Sequence, residues 1–110
     1  MTNTKFYKVL FVDDDRRFAE TLISKAENHQ LELDHYDNWE EAKTKLKNDF
    51  DNYVAVILDG KGKLNKDDVG DNSKHIYEAI NDLREFRGQK HFIPYFVLSA
   101  YHEIRDTLNY

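Results

Sequence analysis

The stretch Tyr53-Val54-Ala55-Val56-Ile57-Leu58-Asp59-Gly60 is apolar and rich in β-branched residues until an acid and a glycine close it. That pattern predicts a strand buried on both faces, with Asp59 at its carboxyl end. Two further apolar runs end in the same manner. Val9-Leu10-Phe11-Val12 leads into Asp13-Asp14-Asp15, and Tyr95-Phe96-Val97-Leu98 leads into Ser99-Ala100. In an open α/β sheet the loops at the carboxyl edge splay apart and leave a crevice where ligands bind. Three strands would therefore deliver three polar tips to one place.

Working outward, Lys8 to Val12 is apolar almost throughout, as a central parallel strand requires. Asp14 or Asp15 is placed to cap a helix whose buried stripe is Phe18, Ala19, Leu22, Ile23 and Ala26. Leu31 and Leu33, with polar residues between and His35 or Tyr36 beyond, predict a more exposed strand near a sheet edge. Asn38-Trp39-Glu40-Glu41 resembles a capping box, with Asn38 as the cap and Glu41 reaching back. It opens a helix with Trp39, Ala42, Leu46 and Phe50 inward. Past Gly60 the chain is polar and glycine-rich to Asn72, a long loop for an α/β connection. Asn72 or Ser73 can cap the next helix, whose inward face is Ile76, Tyr77, Ile80, Leu83 and Phe86 and which ends at Gly88. Ile93-Pro94 opens the fourth strand, where a proline is tolerated at the first position. A short helical stretch, Ile104 to Leu108, follows. Strands alternating with helices imply right-handed crossovers and a parallel sheet. Strand order 2-1-3-4 would set the two acid-tipped strands side by side.

The 110 residues suit one domain, residues 1–110. With 34% charged and 40% hydrophobic residues, the composition is that of a globule with a densely charged surface. A formal charge of -5 argues against nucleic acid or an anionic membrane as a direct partner. The absence of cysteine removes disulfides, thiol catalysis and thiolate metal sites. The five histidines, His29, His35, His75, His91 and His102, share no zinc-binding spacing. Met1 to Lys5 lacks the apolar core of a signal peptide, and no run approaches a membrane span, so a cytoplasmic location is expected.

Carboxylates gathered at one sheet edge repel one another by roughly 4 kcal/mol per pair at about 4 Å and an effective dielectric near 20. A raised pKa or a cation must offset that. Mg²⁺ suits the donor set, because it accepts one or two carboxylates and completes its shell with water and phosphate oxygens. Taken singly, Asp59-Gly60 is an ordinary turn, the acidic triplet a helix cap and Ser99 a turn residue. Their convergence is what carries chemical meaning.

The three blocks, in this order and spacing, resemble the receiver domain of two-component response regulators. The resemblance implies a flavodoxin-like three-layer α/β fold with a central parallel sheet, order 2-1-3-4. It also implies that Asp59 is the phosphoacceptor, taking a phosphoryl group from a histidine kinase or phosphotransfer protein. Mg²⁺ would be held directly by Asp14 and Asp59, through water by Asp13, and by the backbone carbonyl of Lys61. Ser99 would present its hydroxyl to the phosphoryl group, with Lys61, Lys63 and Ala100 as further candidate contacts. Such a domain is a self-phosphorylating signalling relay rather than a turnover enzyme. The resemblance covers all but the family's fifth strand and last helix, and with them the family's phosphoryl-binding Lys. The longer loop after Asp59 is a second departure. A bare fourth strand would be open to pairing with another copy of the chain. Two alternatives follow: a pseudo-receiver that binds partners without phosphate, and a phosphatase of the haloacid dehalogenase type. The latter would use Asp13 as nucleophile, Asp15 as general acid and Ser99 as a second-motif hydroxyl.

Overall fold

The computed structural model describes residues 5–59, 74–89 and 91–98. In chain order these form β1 (Tyr7–Val12), α1 (Arg16–Glu27), β2 (Leu31–Tyr36), α2 (Trp39–Asn48), a single 3-10 turn (Phe50–Asn52), β3 (Ala55–Asp59), α3 (Lys74–Gly88) and β4 (Tyr95–Leu98). The strands make one parallel sheet in the order β2-β1-β3-β4. This is the α/β architecture expected from the alternation of strand and helix patterns. Among the described residues no helix is long and apolar enough to cross a membrane.

Side chains alternate across a strand, so the sheet sorts its apolar residues into two layers. Leu10, Val12, Val56 and Leu58 face α2 and α3, meeting Trp39, Ala42 and Leu46 from one helix and Ala79, Leu83 and Phe86 from the other. Val9, Phe11 and Leu33 face the opposite way, against Ala19 and Ala26 of α1, with Leu22, Ile23, Ala55 and Ile57 half-buried around them. Two of the expected inward residues are exposed instead. Phe18 is 45% exposed and Tyr77 is 55% exposed. Helical periodicity gives the reason. At 3.6 residues per turn Phe18 sits about 90° from the centre of the Ala19–Ala26 stripe. Tyr77 sits about 140° from the centre of the stripe formed by Ile76, Ala79, Leu83 and Phe86.

The decisive stretch also departs from its expected form at its start. Tyr53 is buried ahead of the strand, its hydroxyl donating to Asp34, whereas Val54 is exposed and β3 begins only at Ala55. Val56 and Leu58 are fully buried, but Ala55 and Ile57 are half-covered, because α1 is the only described helix on their side. Pro94 precedes β4 and contributes its carbonyl to the Val56 N–H at 2.9 Å, a place where no donor is needed. Tyr95 and Phe96 are exposed on this terminal strand of the described sheet.

The helix starts follow their capping residues. The carboxylate of Asp15, not Asp14, caps α1 by accepting from the Phe18 N–H at 3.1 Å. Asn38 caps α2, accepting from the Glu41 N–H at 2.9 Å while its amide donates back to the Glu41 carboxylate. At the far end of α1, Gln30 adopts φ 62°, a left-handed turn into β2. The α2–α3 layer is tied by Trp39 Nε1, which donates to Asp82 at 2.8 Å, and by Lys43 against the same carboxylate at 3.3 Å. The expected caps Asn72 and Ser73, and the stretch 104–108, lie outside the described residues.

Candidate functional site

The parallel register fixes where the acids fall. Val12 pairs with Leu58 on the neighbouring strand, so Asp13 and Asp59 each stand one residue past that pair, on the same face of the sheet. Asp14 follows at the turn into α1. One carboxylate oxygen from each of Asp13, Asp14 and Asp59 lies within 4.8 Å of the others. Asp15, the last of the triplet, turns away to cap α1. The acidic run thus divides into cluster members and a cap.

The three carboxylates differ in exposure. Asp13 is wholly buried, while Asp14 and Asp59 are half-buried. Asp13 Oδ1 accepts from the Asp15 N–H at 2.9 Å, but its Oδ2 is buried with no hydrogen-bond partner among the described residues. Desolvation pushes the Asp13 carboxyl up from 3.8 to about 7. The Asp15 N–H opposes that rise, and the negative charges of Asp59, Asp14 and Asp15 add to it. The site therefore holds an acid that keeps its proton near neutrality unless positive charge is supplied.

Two histidines that carried no recognisable spacing in the sequence belong to this edge. His35, near the end of β2, places Nε2 2.6 Å from the backbone carbonyl of Asp13 and packs its ring against Phe11. His75, the second residue of α3, is completely buried and places Nε2 on the backbone carbonyl of Asp59. Its Nδ1 is buried with no hydrogen-bond partner among the described residues. The only signal for His35 was its register position, since β1 pairs Phe11 with His35 and Asp13 follows two residues on.

The structure thus brings together Asp13, Asp14 and Asp59 of the predicted site. Lys61, Lys63, Ser99 and Ala100 lie outside the described residues. A cavity of about 530 Å³ opens beside the 3-10 turn and the end of α3, away from the acids, where Phe50 stacks on His91 at 4.6 Å. Its lining mixes Lys47, Asp49 and Asp51 with these rings and converges on no reactive group. No known family model matches this chain, and no curated protein matches it with significant similarity.

Proposed function

We propose that the chain is a phosphoacceptor receiver domain, taking a phosphoryl group onto Asp59 from a phosphohistidine of a kinase or phosphotransfer protein. The observation that carries this reading is the convergence of Asp13, Asp14 and Asp59 from the ends of two adjacent central strands. The donor set suits a hard divalent cation. It offers oxygen only, and one buried oxygen of Asp13 has no other partner among the described residues. Asp13, Asp14 and Asp59 would hold Mg²⁺, which neutralises charge on a transferring phosphoryl group.

The division of exposure supports this reading of the roles. A nucleophile has to reach phosphorus, and Asp59 is half-exposed at the crevice whereas Asp13 is wholly covered. An Asp59 carboxylate oxygen forms the new P–O bond as the P–N bond of the donor breaks, and the departing imidazole takes up a proton. Asp13 and Asp14 contribute negative charge that draws the cation in. The same exposure difference disfavours the phosphatase alternative, in which Asp13 would have to attack.

The test is incubation of the full chain with Mg²⁺ and acetyl phosphate, followed by intact mass and peptide mapping. A single phosphoryl adduct on Asp59, lost in Asp59→Asn and in the presence of a chelator, is expected. An adduct on Asp13 would instead identify the hydrolase. No adduct, with no spectral response to beryllofluoride, would identify a phosphate-independent binding module.

A further inference from the structure

Both acid-bearing strands end on a carbonyl held by an imidazole from outside the strand. His35 reaches Asp13 from β2, and His75 reaches Asp59 from α3. A carbonyl oxygen only accepts, so each Nε2 must carry the proton. For His75 that assignment leaves the buried Nδ1 as a bare acceptor with nothing to accept from among the described residues. An unpaired buried polar atom is destabilising, and an apolar side chain of similar volume would fill the same space without that penalty. Packing alone therefore does not account for a histidine here. The bond to Asp59 does, because it fixes the peptide plane that follows the reactive residue.

We propose that His75 is a positioning residue for Asp59; this rests on Asp59 being the phosphoacceptor. By clamping the Asp59 carbonyl, His75 ties the start of α3 to the tip of β3 and fixes the backbone direction from which Asp59 presents its carboxylate to Asp13 and Asp14. Displacement of a reacting group by about 1 Å can cost on the order of 100-fold in rate. A clamp on its backbone is thus a direct means of holding the rate.

Two variants of the full chain separate positioning from packing. His75→Gln keeps an N–H donor at nearly the same reach, and His75→Met keeps the bulk without the donor. Backbone residual dipolar couplings of the peptide that follows Asp59 are expected to show one orientation in the wild type and His75→Gln, and averaging in His75→Met. Phosphorylation by acetyl phosphate should fall about tenfold or more in His75→Met and return to within a few-fold of wild type in His75→Gln. A single orientation of that peptide in folded His75→Met, or equal impairment of both variants, would overturn the proposal. Should His75→Met fail to fold, ring ¹⁵N shifts of the wild type decide. A proton on Nε2 supports the clamp, and a proton on Nδ1 alone overturns it. Absence of phosphorylation in the wild type would remove the receiver reading, while the couplings still report whether His75 orients Asp59.

Discussion

Asp13 is the residue where folding and ligand binding pull in opposite directions. Its carboxyl is raised from 3.8 to about 7, so between those values the folded chain holds a proton that the unfolded chain has released. The contribution to stability is complete below about pH 4 and is lost as pH rises through about 7. Without a cation, the protein is therefore expected to weaken from pH 4 to pH 8 through this group. Asp13→Asn should remove the loss, raising stability at pH 8 by about 2–4 kcal/mol and changing little at pH 4. Urea unfolding at the two pH values in the presence of a chelator checks it. Cation binding runs the other way, since the ligand form is the carboxylate. At pH 6, Mg²⁺ binding should release about one proton, and the affinity should rise toward pH 8. Calorimetry in buffers of different ionisation heat reads the proton directly. The acids at the strand ends were legible because an apolar run stopped by Asp reads the same in sequence and in space. Which of the triplet would be buried was not, since that depends on the β1–β3 register. Nor were His35 and His75, whose partners lie 22 and 16 residues away along the chain.

Apolar periodicity in the sequence defines each element well at its centre and less well at its rim. The Ala19–Ala26 and Trp39–Leu46 stripes follow from 3.6-residue periodicity, but a stripe defined by apolar residues alone also recruits its flanks. Phe18 and Tyr77 were drawn in that way. The strand starting at Ala55 shows the same limit, because Tyr53 and Val54 are apolar for separate reasons, one anchored to Asp34 and the other at the surface. The connection from α1 to β2 offers a test at this scale. Gln30 holds a left-handed φ of 62° that side chains with a Cβ adopt at a cost. Gln30→Gly should stabilise the protein by about 0.5–1 kcal/mol, less whatever the freer unfolded chain takes back. Chemical denaturation at a single pH measures the difference.

Across the whole molecule, the sheet order and its acid-lined edge were both foreseeable, because right-handed crossovers between parallel strands leave few arrangements. The unequal thickness of the two layers was not. The side covered by α2 and α3 is cemented by Trp39, Leu46, Leu83 and Phe86, whereas α1 fully buries only two alanines. Cooperative units with little buried apolar area open first in native-state exchange. Backbone amides of α1 should therefore exchange with deuterium about tenfold or more faster than those of α2, and Mg²⁺ should slow the α1 amides selectively. Because Asp13 Oδ1 is hooked to the first turn leading into that loosely held helix, each transient detachment of α1 would let solvent reach the one carboxylate otherwise sealed from it. Ion entry would then be timed by partial unfolding, so that the pace of loading is set on the opposite side of the sheet from its hardest-packed face.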